Sequence, residues 1–462
     1  MDLHPPSRRF VGKLSLALFL AVATINPSVA AAPQTPPARS QKNSPAPSSL
    51  PGLPAAERPT PQTGKTEQYT LSNERYEKAT AYSHASYTLY FVSYFLSFIV
   101  LFLILRLGVA AKFRNFAEDF TDNKWLQGLI FVPLLVLTVD LFDLPLSIYW
   151  HSLSLHYEQS VQRWGSWFRD WGKEELLGTC YALILALILF AVMRRSPRRW
   201  WIYFWFAALP IVLGFVFIGP LVIDPLFNKF EPLSDQHPQL VASIETLTQH
   251  AGVPIPADRI FLMKASEKTN SINAYVTGVG ASKRVVVWDT TLQKTTNDEA
   301  LFIVGHELGH YVLGHVWKAF VGVALGLFVA LYLMFRGLHW LLDRCGKDWR
   351  LYGPEDWASL AVLLLLLQVL TFLSSPVVNG ISRMQEHAAD VYGLEVIHGI
   401  IPNSDEVAAH AFQVLGENDL SDPNPGPFIT FWLYSHPPLA ERLIFAHTYD
   451  PWSQNQPPKY VK

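Results

Sequence analysis

The sequence predicts a mostly α, polytopic membrane protein carrying one small α+β domain. Three observations predict it: apolar residues gathered into runs of spanning length, one sizeable polar insertion among those runs, and β-rich stretches confined to that insertion. Of the 462 residues, 50% are hydrophobic and 16% charged, close to a soluble composition, so the clustering of the apolar residues decides the class.

In chain order, residues 1–31 begin with Arg8, Arg9 and Lys13, continue with "LSLALFLAVATI" and end in small residues around Ala30. That is the pattern of a signal peptide, with an uncleaved first membrane helix as the alternative. Residues 32–84 open with a stretch rich in Pro, Ser, Ala and Thr, which buries too little apolar surface to offset its ordering entropy. They are expected to be a flexible linker and lead-in.

Residues 85–222 hold four apolar runs, 86–105, 126–150, 176–193 and 200–222, and two more follow at 316–335 and 358–378. Each approaches or exceeds the roughly 20 residues that cross a bilayer. Tyr149, Trp150, Trp200 and Trp201 fall at run ends, where amphipathic rings favour the membrane interface. Six internal membrane helices are expected. The net charge of -2 gives no reason to invoke nucleic acid, and Cys180 and Cys345 form no ligand pair or disulfide framework.

The insertion, residues 223–315, contains "RIFLMKA" from Arg259, "INAYVTGVG" from Ile272 and "RVVVWDT" from Arg284. These read as a small sheet with a hairpin turned by "GVGAS". Thr296 and Glu299 then form a capping box opening a helix that carries "HELGH". His306 and His310, four apart, leave one helix face and can reach one metal ion. Read as plain helix-face residues, a glutamate and two histidines in an apolar helix would be costly without a partner.

A catalytic zinc commonly takes three protein ligands and keeps a fourth position for water. Leu313 and Val316 occupy the positions where a metzincin has glycine and its third histidine, and His315, one residue off, is expected to point elsewhere. The remaining option is a distant carboxylate. "NGISRMQEHAAD", beginning at Asn379, follows the membrane hairpin of residues 316–378 and opens the C-terminal part, 379–462. Glu386 is the candidate ligand, and Asp390, on the same helical face, can accept a hydrogen bond from a ligating imidazole.

These residues resemble the integral-membrane zinc peptidases typified by the type I CAAX prenyl proteases. The resemblance rests on ordered motifs: "YEQSVQRWGSWFRD", "IDPLFNKFEPL", "NAYVTG", "HELGH", "SRMQEHAAD" and "SHPPLAER". It implies one Zn2+ held by His306, His310 and Glu386, with Glu307 as catalytic base. It further implies that Asn273 and the strand through Ala274 and Tyr275 hold the substrate backbone, and that His436 and Arg442 assist at the reacting carbonyl, although Arg442 could equally be a salt-bridge partner of Asp390 or Glu441. The implied fold is a polytopic membrane helical barrel with a small α+β zinc-peptidase domain, enclosing a water-filled chamber. The family's seventh span is matched here only by the N-terminal segment, whose cleavage would leave six.

Basic residues cluster around the first run, at Lys112, Arg114 and Lys124, in "RRSPRR", and from Arg336 to Arg350. With alternating spans these four clusters share one side, the cytoplasmic one, which puts the zinc helix and Glu386 on the other. For a bacterial chain that is the periplasmic side of the inner membrane. The expected activity is a zinc-dependent endopeptidase embedded in the lipid bilayer and acting on extended peptide. Its substrates would be prenylated peptides, or membrane and secreted proteins in quality control. The competing reading is a transporter or chaperone-like protein with a structural zinc, against which Glu307 beside the first histidine argues.

Overall fold

The computed structural model describes residues 69–278 and 282–461, so the signal-like segment 1–31 and the Pro-rich stretch after it lie outside the described residues. Helix α1 (Asn73–Arg106) is followed by α2 (Val109–Phe120), α3 (Lys124–His156), α4 (Trp164–Arg195) and α5 (Trp200–Ile218). After the insertion come α8 (Asn297–Val312), α9 (His315–Cys345), α10 (Ser359–Ile397), α11 (Ser404–Asn418), α12 (Pro427–Leu433) and α13 (Leu439–Thr448). Within the insertion lie α6 (Pro238–His250) and α7 (Asp289–Lys294).

Five helices, α1, α3, α4, α9 and α10, are long and apolar enough to cross a membrane. The fourth of the six expected spans is broken: Trp200–Gly214 and Gly219–Phe227 pass the same test only as a pair bent by 46°. A wider π-helical turn, Gly219–Ile223, sits at the bend, where Gly219 and Pro220 weaken the regular hydrogen-bond ladder. Large apolar side chains stand exposed along the spans, among them Phe95 at 58%, Phe142 at 57% and Leu325 at 63%. Water would penalise that surface, whereas lipid accepts it.

The spans form a closed ring. Helix α1 packs on α3, α3 on α4, α4 on α5, α5 on α9, α9 on α10, and α10 back on α1. Six helices therefore close the cycle of contacts among the described residues.

Buried apolar side chains of the ring, including Leu105, Phe131, Phe190, Trp200, Leu338 and Trp357, gather towards one end. The basic loops meet there. Buried Arg114 on α2 donates to Asp356 Oδ2 at 2.5 Å and to the Arg350 carbonyl at 3.0 Å, and the Arg194 guanidinium lies 4.8 Å from the Trp357 ring centre. The HELGH helix leaves the ring at the other end, ahead of α9.

The insertion builds a four-stranded sheet from β1 (Phe230–Pro232), β2 (Ile260–Met263), β3 (Ala274–Thr277) and β4 (Arg284–Trp288), in the order β1-β2-β4-β3. The expected hairpin is present as β3 antiparallel to β4, while β2 and β4 run parallel. Gly278 opens the turn with φ of 88°, a left-handed value that only glycine adopts without strain. Strand β3 alternates buried and half-buried residues, lies at the sheet edge and packs on α8.

Helix α8 starts as expected. The Thr296 hydroxyl accepts from the Glu299 amide at 3.3 Å and a Glu299 carboxylate oxygen accepts from the Thr296 amide at 2.9 Å, satisfying two otherwise orphaned donors. Its apolar side joins a second core with the sheet, α6, α11, α13 and the end of α10.

Helices α8 and α10 meet through glycine. A Cβ on Gly305 would come within 3.0 Å of Val396 Cγ1, one on Gly309 within 3.0 Å of Tyr392 Cβ, and one on Gly393 within 3.0 Å of the His306 amide nitrogen. This contact sets the separation of the two helices that carry the histidines and Glu386. Gly393→Leu is expected to destabilise the protein by about 1–3 kcal/mol, an overpacking cost. It should also weaken metal retention, because the added side chain must push the His306 backbone away. Thermal unfolding and chelator competition on the purified protein check this, with Gly322→Ala, where an added Cβ meets nothing within 4 Å, as the neutral control.

Candidate metal centre

Two helices and one loop supply the polar side chains at the end of the ring. His306 and His310 come from the third and fourth turns of α8, and Glu386 comes from α10. The ligand atoms these three side chains offer all lie within 4.8 Å of one another. Between imidazoles, Nε2 to Nε2 is 3.1 Å; Glu386 Oε2 is 3.2 Å from His306 Nε2, and Oε1 is 3.5 Å from His310 Nε2.

A tetrahedral ion with bonds of about 2.0–2.2 Å holds its ligand atoms about 3.3–3.6 Å apart, and these separations, which run to the two different oxygens of Glu386, are of that size. Glu386 Oε2 is buried without an aligned hydrogen-bond donor, although two imidazole nitrogens lie close by.

Behind the triangle, Asp390 Oδ1 lies 2.9 Å from His306 Nδ1, the position expected for the carboxylate that fixes this ring's tautomer. Arg442 occupies the other side of the same carboxylate, donating through Nε to Oδ2 at 2.9 Å and through Nη2 to Oδ1 at 2.5 Å. Both partners are buried, so the pair is charge-compensated where neither charge would persist alone. Of the two roles open to Arg442, a part at the reacting carbonyl and a salt bridge to Asp390, the structure shows the salt bridge, behind His306.

His315 departs from expectation. Helix α8 ends at Val312, Gly314 turns the chain with φ of 66°, and α9 begins at His315. The reversal brings His315 Nδ1 to 3.0 Å from His310 Nδ1. Its pointing elsewhere had assumed one continuous helix, and the glycine at 314 was the sequence signal for the break.

Glu307, half-buried, lies beside the triangle; burial raises its carboxyl above the usual range, opposed by His306 and His310. Burial works against a charge on His306, yet its contacts with Asp390 and Glu386 outweigh that and push the ring up to about 9 in the metal-free chain. A metal must therefore displace a proton to bind there. His436, in the loop between α12 and α13, brings Nε2 to 3.1 Å from Glu386 Oε2, while Ser435 Oγ meets its Nδ1 at 2.9 Å. Burial lowers its pKa, with Glu386 opposing, which favours a neutral ring.

Of the expected peptide-holding residues, Ala274 and Tyr275 lie on β3, while Asn273 just precedes it. The Asn273 amide donates to Thr291 Oγ1 at 2.9 Å, and its carbonyl accepts from Thr291 Oγ1 at 2.6 Å and from the Trp288 amide at 3.1 Å. Its main-chain groups are thus engaged within the fold. Tyr275 reaches towards Asp224 Oδ2 at 3.5 Å, tying the strand to the end of the broken span.

Comparison with known proteins identifies the family. Residues 234–449 match the model of peptidase family M48, and residues 56–229 match the CAAX prenyl protease N-terminal model of five membrane helices. An uncharacterized metalloprotease, YhfN, of Bacillus subtilis is 35% identical over 80% of this chain and 84% of its own length. A CAAX prenyl protease 1 homolog of Oryza sativa is 30% identical over 83% of this chain and 90% of its own. The crystal structure of S. mikatae Ste24p superposes with a TM-score of 0.69 at 26% identity, covering 81% of this chain and 88% of that one. The chain belongs to peptidase family M48, as an integral multi-pass membrane metalloprotease similar to CAAX prenyl protease 1.

Proposed function

We propose that the protein is a zinc-dependent endopeptidase in which His306, His310 and Glu386 hold one Zn2+ and Glu307 is the general base. The observation that carries this reading is the convergence of His306, His310 and Glu386, with the two imidazole Nε2 atoms 3.1 Å apart and each 3.2–3.5 Å from one oxygen of the Glu386 carboxylate, backed by Asp390 and with Glu307 close by. Nitrogen and carboxylate ligands from only three side chains suit zinc with a position left for water. When bound, the ion would supply the Lewis acid that polarises that water and the scissile carbonyl.

The chain's own residues do the rest. Glu307 takes the proton of the attacking water and returns it to the leaving amine, for which its burial-raised carboxyl is suited. His436 donates from Nε2 to the oxygen on which charge develops. The edge that β3 leaves unpaired among the described residues, from Ala274 onwards, pairs with substrate in extended form through main-chain hydrogen bonds. Such pairing is tolerant of side chains, which suits an enzyme that removes membrane and secreted proteins as well as one that processes prenylated peptides.

The membrane side follows from charge. Because the basic loops meet at the end of the ring away from the HELGH helix, the positive-inside tendency puts the metal centre on the non-cytoplasmic side. In a bacterial cell that means the inner membrane, with the site facing the periplasm. A transporter or chaperone with a structural zinc gives Glu307 no task and leaves the edge strand beside the metal unexplained.

Purified protein in detergent, given a matched pair of farnesylated and unmodified peptides, tests the reading. Cleavage abolished by a chelator and restored by Zn2+ is expected. Preference for the farnesylated peptide would assign prenyl-peptide processing, and equal cleavage general turnover; no cleavage of either by the zinc-loaded protein would overturn the enzyme.

Glu307→Gln should keep the fold and the zinc while losing at least about 100-fold in kcat. Asp390→Asn should lower zinc affinity by about 10- to 100-fold, because His306 loses the carboxylate that orients it. Metal titration with circular dichroism as the folding control reads both.

A further inference from the structure

One face of α10 carries more than the metal ligand. Asn379, Arg383, Glu386 and Asp390 succeed one another at spacings of four, three and four, which places all of them on a single stripe of the helix. Glu386 and Asp390 face the metal centre. The other two reach across to the segment that carries His436.

Asn379 Nδ2 donates to the Trp432 carbonyl at 2.6 Å, and Arg383 Nη1 donates to the carbonyls of Thr430 at 2.9 Å and Tyr434 at 2.5 Å. These carbonyls belong to the end of α12 and the residue after it. A helix end leaves such acceptors without intrahelical donors, and a guanidinium is a strong substitute for them. Tyr434 is additionally held through its hydroxyl, 2.8 Å from that of Tyr87 on α1.

Two residues further on stands His436. Pro437 and Pro438 follow it and have no amide protons, so the loop offers no main-chain donor at these two positions, and the Pro438 carbonyl accepts from the Glu441 and Arg442 amides of α13 at 2.9 and 3.2 Å. Beyond them Arg442 is fixed to Asp390. The segment is thus pinned to α10 on both sides of His436, by Arg383 and Asn379 before it and by Asp390 after it.

We propose that Asn379 and Arg383 are positioning residues, which hold the carbonyls of Thr430, Trp432 and Tyr434 so that His436 stands over the metal centre. Neither touches the triangle formed by His306, His310 and Glu386, so they act on catalysis through His436 and not on metal binding. The inference rests on the peptidase reading for its kinetic consequence, and its geometric part can be measured without activity.

The test compares full-length zinc-loaded wild type, Arg383→Ala, Arg383→Lys, His436→Ala and the Arg383→Ala, His436→Ala double variant. Arg383→Ala should keep zinc affinity within about twofold and KM nearly unchanged. Its kcat should fall by about 10- to 100-fold, the usual consequence of displacing a reacting group by about an ångström. Arg383→Lys should recover part of the loss. In the His436→Ala background, Arg383→Ala should add nothing, because its effect passes through a side chain already removed.

Independently of turnover, carbethoxylation of His436 by diethyl pyrocarbonate, read by mass spectrometry, should speed up several-fold in Arg383→Ala while His306 and His310 keep their wild-type rates. Losses that multiply in the double variant, or an unchanged His436 rate, would overturn the proposal. If the wild type cleaves no peptide, the peptidase reading fails, and the carbethoxylation rate still decides whether Arg383 positions His436.

Discussion

Helices α8 and α10 touch at the backbone, and the rest of the site depends on that approach. Gly305, Gly309 and Gly393 leave no room for a side chain between them, and Gly393 faces the main chain of His306 itself. Only at such a separation can short side chains from two helices bring their ligand atoms within a few ångströms of each other. The helices are far apart in sequence, joined through the membrane helix α9 and the loop at the basic end of the ring. Closing the metal site and returning the hairpin are therefore one event, which explains why this hydrolytic centre is built into a membrane protein.

The ring supplies the second half of that constraint. Six spans contact one another in a closed cycle, so α10 is held by α9 on one side and by α1 on the other. Helix α10 carries, in order, the residues that pin the His436 segment, the metal carboxylate and the carboxylate behind His306. A single rigid element thus fixes the relative positions of groups that would otherwise sit on separate, mobile loops. Asp390 serves two partners, His306 and Arg442, and thereby couples α8 and α13 to α10 through one buried carboxylate.

Much of this was legible in the sequence because it is written in local periodicity. Spacing alone put His306 and His310 on one face, the capping box fixed the start of α8, and Asp390 stood one turn from Glu386. The hairpin of β3 and β4 was readable from β-branched residues around a glycine-rich turn. What was missed depends on chain reversals and long-range contacts. Gly314 ends α8 and returns His315 to His310, whereas a continuous helix would have sent it away. Arg442 lies in the same short motif as His436, and its salt bridge to Asp390 was one of the roles the sequence left open. Arg383 and Asn379 look like ordinary polar residues at the end of a span, because the carbonyls that give them a task lie some fifty residues further along the chain.

The measurement that bears most directly on the metal centre is zinc K-edge X-ray absorption on the purified, zinc-loaded protein. One zinc per chain with two imidazole nitrogens, and otherwise oxygen ligands at about 2.0–2.2 Å, is the result this structure predicts. Sulfur scattering near 2.3 Å, a third imidazole in place of the carboxylate, or zinc well below one per chain would contradict a centre built from His306, His310 and Glu386.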